Sequence, residues 1–138
     1  FEGRVQYLTK GKFKKLLNSN EKLLIDGCHS ITSAKNLLNY LKILKEPIYG
    51  IWGMQKNKLP DQFIKSFGKI FKKLFTITIP NEPNAIKADE LQKIGKRYTS
   101  TSTTNNIQTA LKQISSNKNK TIVIFGSLYL VGEVLGKN

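Results

Sequence analysis

Three apolar runs in this chain stop abruptly at polar or glycine-bearing turns, and this constrains the fold more than any other feature. Residues 23–25 (Leu-Leu-Ile) end at Asp26 and Gly27, residues 48–52 at Gly53 and Met54, and residues 121–125 (Thr-Ile-Val-Ile-Phe) at Gly126 and Ser127. Strands buried on both faces read as continuous apolar runs rather than as alternations. Helical patterns separate them, so the order is strand, then helix, repeated with short connections. That order predicts an α/β fold: a mostly parallel sheet with helices on both faces and right-handed crossovers. In a parallel sheet the three strand ends fall on one edge, and open α/β sheets hold ligands at such an edge.

The rest of the chain fills in around these runs. Residues 3–8 alternate enough to form a short strand, followed by a lysine-rich turn. Thr32 or Ser33 is expected to cap a helix carrying Leu37, Leu38, Leu41 and Leu44 on one face, ended by Pro47. Pro60 and Asp61 open a second helix, with Phe63, Ile64, Phe67, Ile70 and Phe71 at helical spacing. Residues 74–79 read as a strand and 87–98 as a helix, whereas a further strand is only hinted at by Tyr98, Thr99 and Ser100. Residues 107–114 and 128–135 read as the last two helices. At 138 residues the chain is expected to be one domain, residues 1–138.

Charge and cysteine content narrow the function classes. The formal charge of +14 invites a small basic module for nucleic acid or another polyanion. Against it, only Arg4 and Arg97 of the 23 basic residues are arginine, the residue that base-edge readout favours, and the lysines are scattered through every segment. Nucleic acid is therefore not the expected partner, although the charge suits a phosphate-bearing or polycarboxylate ligand. One cysteine and one histidine cannot build a disulfide or a zinc site, so no metal is expected on this chain, and a reducing, cytoplasmic setting is the simplest expectation. No apolar run is long enough to span a bilayer, and no secretory signal is visible. The chain begins at Phe1 rather than Met, which suggests a piece of something longer.

Residues 22–38 hold the most suggestive chemistry. An aspartate closes a buried strand, the only histidine follows three residues later, and a helix then opens. Asp26 can accept from ribose hydroxyls, and His29 beside it can reach a phosphate. The plain alternative is that Asp26 caps backbone amides and His29 is an ordinary surface or core residue. Ser127, after Gly126, resembles an anion pocket made of a hydroxyl and a helix N-terminus; the alternative is a plain N-cap. Cys28 reads as a small buried hydrophobe rather than a reactive thiol, and Trp52 and Met54 read as core. No G-x-x-x-x-G-K-[ST] loop, G-x-G-x-x-G fingerprint or acidic two-metal cluster occurs.

Taken in order, these blocks resemble a known family. They are Gly3-Arg4; Leu24-Ile25-Asp26-Gly27-Cys28-His29-Ser30; Gly53-Met54 with Lys58; Pro80-Asn81-Glu82-Pro83-Asn84-Ala85 with Glu90-Leu91; and Phe125-Gly126-Ser127-Leu128-Tyr129-Leu130-Val131-Gly132-Glu133. The succession is similar to the C-terminal domain of the bacterial bifunctional dihydrofolate synthase/folylpolyglutamate synthase, in the Mur ligase superfamily. The resemblance implies a Rossmann-like domain that closes over an N-terminal P-loop domain, which is absent from this chain and which binds MgATP and the pterin. It implies an ATP-dependent ligase in which a substrate carboxylate is phosphorylated and the amine of L-glutamate attacks it, with dihydropteroate or a folate as acceptor.

By the same resemblance, Arg4 and Asp26 contact ATP. His29 lies near the terminal phosphate and the incoming glutamate, and is the candidate catalytic residue. Ser127 lies on the glutamate side. ATP and Mg2+ are held mainly by the other domain, so this chain is expected to be inactive alone. Cys28, Ser30, Ile31, Asn57, Leu59 and Asn84 depart from the usual pattern, and a degenerate remnant of the ligase is the further reading they leave open.

Overall fold

The computed structural model describes residues 4–138. Its strands are β1 (Gln6–Leu8), β2 (Glu21–Asp26), β3 (Ile48–Trp52), β4 (Phe71–Thr76), β5 (Thr101–Thr103) and β6 (Lys120–Phe125). The helices are α1 (Ile31–Leu41), α2 (Pro60–Lys65), α3 (Ala88–Gly95), α4 (Ile107–Ile114) and α5 (Leu128–Lys137), with a single 3-10 turn at Lys14–Leu16. The strands form one sheet in the order β1-β2-β6-β3-β4-β5. Only β1, at an edge, runs antiparallel to its neighbour. The α/β expectation, a mostly parallel sheet covered on both faces, is met.

Side chains alternate across the sheet and divide the core into two layers. Leu23 and Ile25 of β2 and Ile122 and Ile124 of β6 pack beneath α4 and α5, with Ala110, Leu111, Leu130 and Val134. Leu24, Val123 and Phe125 point the other way, to α1, α2 and α3, with Leu37, Leu41, Phe63 and Leu91. Burial on both faces explains why these strands lack polar alternation.

Several expected element boundaries needed correction; α1, for one, ends at Leu41, short of Leu44 and Pro47. The second helix stops at Lys65 instead of running to Phe71, because Gly68 takes a left-handed conformation (φ 58°) and Phe71 opens β4, paired with Ile48. Phe63, Phe67 and Phe71 still share one face. Their rings meet Phe125 at centroid distances of 6.1, 5.2 and 5.1 Å, so helix-like spacing arose from a helix and a strand converging on one aromatic cluster. The following strand accordingly covers Phe71–Thr76 rather than 74–79, and Ile77 and Ile79 are buried beyond its end. The weakly signalled strand is Thr101–Thr103, three residues past its hint, docked beside β4. Of the expected first strand, residues 3–8, Gly3 lies outside the described residues, and Gln6–Leu8 form β1.

Candidate functional site

The register places the ends of β2, β6 and β3 side by side: Asp26 pairs with Phe125, and Phe125 with Trp52. The turns that leave these strands therefore abut. Gly27 lies so close to the first turn of α5 that a Cβ there would collide with the Leu128 side chain. Gly126, at φ 113°, has room only for hydrogen, since a Cβ would run into the Gly53 carbonyl oxygen and the Trp52 indole. The two glycines that end the apolar runs are needed for this close packing.

Asp26 is 3% exposed, and both its carboxylate oxygens are engaged. The Cys28 amide donates to Oδ1 (2.8 Å) and the Val5 amide to Oδ2 (3.0 Å). Val5 adopts φ 44°, a left-handed conformation that is strained for a β-branched residue, of order 1–3 kcal/mol. The bond to Asp26 helps to hold the segment entering β1 in that shape, with Arg4 at the same edge. A ribose hydroxyl could reach this carboxylate only by sharing or displacing those amides. Cys28 is buried among apolar groups, with Asp26 and Arg4 both near enough to act on its thiol. Burial first, and then the Asp26 charge, push that thiol far above its usual range, so it is an inert core residue as expected.

His29 is half-buried where the β2 turn enters α1. Its Nδ1 lies 3.2 Å from the Gly27 carbonyl oxygen. A carbonyl can only accept, so Nδ1 carries the proton in this bond and Nε2 is left for another partner. Ser30, rather than Thr32 or Ser33, caps α1, and Ser33 completes a capping box by bonding back to the Ser30 amide. The correction has a simple cause: a box needs two hydroxyls three residues apart, and Ser30 and Ser33 supply them.

Ser127 is 2% exposed; its hydroxyl accepts from the Tyr129 amide (3.0 Å) and caps α5. It stands at the common edge, though not in the cleft that His29 lines. That cleft, about 340 Å³, is walled by His29, Ser30, Asn57, Lys58, Leu59 and Phe63. Lys58 was part of the motif sequence read from the chain, yet its position against His29 emerges only when β2 and β3 are placed one strand apart.

The edge thus gathers Arg4, Asp26, His29 and Ser127, with His29 and Lys58 sharing a cleft. Among the described residues, no group of three His, Cys, Asp or Glu side chains could hold a metal ion. No helix is long and apolar enough to cross a membrane.

Comparison with known proteins gives the edge a context. The sequence family described as dihydrofolate synthetase, C-terminal domain, matches residues 9–137. A search of curated protein sequences finds no match to the chain. Among solved structures, the folylpolyglutamate synthase of Thermotoga maritima superposes with a TM-score of 0.79 at 22% identity, covering 97% of this chain and 30% of that one. The bifunctional folylpolyglutamate synthase/dihydrofolate synthase of Yersinia pestis with Mn, AMPPNP and L-glutamate bound gives 0.79 at 17% identity, covering 99% and 31%. The E. coli enzyme in complex with DHPP and ADP gives 0.78 at 15% identity, again covering 99% and 31%. The chain spans about three-tenths of the length of these structural relatives.

Proposed function

The chain belongs to the family of dihydrofolate synthetase C-terminal domains, and from that premise we propose that it serves an ATP-dependent, ADP-forming ligase adding L-glutamate to dihydropteroate or a folate. Its partner in this reading is an N-terminal P-loop domain, which closes on the edge described above. The observation that supports the reading is that edge itself. His29 and Lys58 share a cleft there beside the amino-terminal end of α1, Arg4 lies near Cys28 and Asp26, and the amino-terminal end of α5 adjoins them, a set of groups suited to a polyanionic ligand.

Bound ATP would supply an activating phosphoryl group for the substrate carboxylate. This chain's own residues bind and orient. Arg4 offers a planar cation to nucleotide phosphates. Asp26 fixes the backbone of Val5 and Cys28 and so sets where Arg4 and His29 stand. His29 presents Nε2 to the incoming glutamate and the terminal phosphate. Ser127 fixes the first turn of α5, whose amides face the glutamate side. Mg2+ does not fit the described residues, which lack a ligand cluster, and is assigned to the P-loop partner. The lone buried Cys28 suits the reducing, cytoplasmic setting that belongs to this proposal.

The sequence has no phosphate-cradling G-x-x-x-x-G-K-[ST] loop, so these 138 residues by themselves are expected to be inactive. A coupled ADP-release assay with dihydropteroate or folate plus L-glutamate tests this. No turnover is expected from the chain alone, and turnover is expected once an N-terminal P-loop domain of a folylpolyglutamate synthase is joined to it. Activity of the isolated chain, or none after joining, would reject the reading.

A further inference from the structure

A hollow of about 380 Å³ opens on the other face of the sheet, between α4, α5 and the lysine-rich turn that follows β1. Phe13, Ile107, Leu130 and Val134, all buried in the core layer beneath α4 and α5, form its floor, with Pro80 at one side. The His29 cleft, by contrast, is built on Phe63 of the opposite layer. Small-molecule sites have this size and this build, an apolar floor with a few polar groups at the rim.

The wall that carries Lys12 is fixed in place. The Lys12 amide donates to the Asn138 backbone carbonyl (3.1 Å) and the Phe13 amide to Asn138 Oδ1 (3.0 Å). Asn138 Nδ2 in turn donates to the Lys10 carbonyl (3.0 Å). Gly11, at φ 103°, lets the turn close on that side chain, since a Cβ there would strike it. Little backbone entropy is left for Lys12 and Phe13 to lose on binding.

The rim has donors to spare and few acceptors. Glu133 is the only carboxylate lining the hollow, and both its oxygens have partners. The Asn81 side-chain amide donates to Oε1 (3.0 Å), and the Lys137 ammonium lies 3.5 Å from Oε2. The Asn106 side-chain oxygen is taken by the Thr109 amide (2.7 Å), which leaves the NH2 group of Asn106 as a donor. Lys12 makes no ion pair among the described residues, where the three ion pairs join Arg97 to Asp61, Lys120 to Glu21 and Lys137 to Glu133. Lys12 and Lys137 against Glu133 leave the rim a net charge of +1.

We propose that this groove is a second ligand site, which binds a small amphipathic monocarboxylate. The apolar body of the ligand lies on Phe13, Leu130 and Val134, and its carboxylate meets Lys12 and the side-chain amide of Asn106. A bare phosphate suits the groove less, because the floor is apolar and the rim holds a single uncompensated cation.

The test is an NMR titration of this chain with phenylacetate, and in parallel with phenylacetamide and acetate, reading backbone amides. Saturable shifts at residues 12–13, 106–108 and 133–134 are expected with phenylacetate. Phenylacetamide lacks the charge and acetate lacks the ring, so each should bind about tenfold more weakly or worse. K12Q should weaken phenylacetate by a similar factor and leave phenylacetamide unchanged. Lys12 is exposed, so K12Q is expected to keep the fold, and the dispersion of the same spectra verifies it. Four results would overturn the assignment: shifts that rise linearly without saturating, saturation only at other amides, equal affinity for phenylacetate and either analogue, or unchanged phenylacetate affinity in K12Q.

Discussion

Strands β2 and β6 lie side by side along their whole length, yet their two ends are built on opposite principles. At the amino ends Glu21 pairs with Lys120, and the ion pair is closed: 0% and 3% exposed, 2.8 Å apart. The remaining lone pairs of Glu21 are filled by the amides of Asn18 and Ser116 and the Ser115 hydroxyl. At the carboxyl ends the polar groups are only half used. Asp26 is engaged, but His29 Nε2 and Lys58 face an open cleft, and the buried Trp52 indole nitrogen has no partner. Val5 adds strain to that same end. Unused hydrogen-bonding capacity and strain weaken a fold and favour a ligand; a fully satisfied buried network does the reverse.

The contrast breaks most visibly at the closed end. Glu21→Ala leaves the Lys120 ammonium buried without its counter-charge and should cost about 3–5 kcal/mol in chemical denaturation. The same pair sets the acid limit. Burial alone would raise the Glu21 pKa, but the amide of Asn18, the Lys120 cation, the Ser115 hydroxyl and the Ser116 amide outweigh it and hold it at about 2, below its ordinary 4.5. A folded-state pKa below the unfolded one gives stability that is complete above about pH 4.5 and drains away as pH falls toward 2. Denaturation midpoints across that window should fall in the wild type, and the fall should be smaller in Glu21→Gln.

Effects on stability should be smaller at the open end, while effects on function grow. Asp26→Ala strands the Val5 and Cys28 amides, at about 1–3 kcal/mol, and frees the segment bearing Arg4, so the joined enzyme should lose affinity for nucleotide as well. His29→Ala, at a half-buried position with one bond to a carbonyl, should change stability by no more than about 0.5 kcal/mol. It should nevertheless lower kcat of the joined enzyme by about 100-fold or more. Equal losses of stability at Glu21 and His29 would erase the distinction between the two ends.

Much of this was legible in the residues. The arrest of β2 at Asp26 and of β6 at Gly126, and the helix Ile107–Ile114, follow from local signals: continuous apolar runs, turn glycines, and apolar residues three and four apart. The short edge strand Thr101–Thr103 was barely visible, because an edge strand need bury little and its pairing with β4 outweighs weak propensity. The second helix reads too long from the residues because Phe63 of α2, Phe67 of the turn after it and Phe71 of β4 all serve one aromatic cluster.

The sequence by itself determined the alternation of strands and helices, the turns at which three strands stop, and the family that the ordered blocks resemble. Those are properties of runs and short spacings, in which neighbours along the chain are also neighbours in space. Only the tertiary structure decided that β6 inserts between β2 and β3, that Asp26 spends its carboxylate on Val5 and Cys28, and that Lys58 stands across a cleft from His29. Residues 29 and 58 belong to different crossovers, and nothing local to either reports the other; the strand order brings them together.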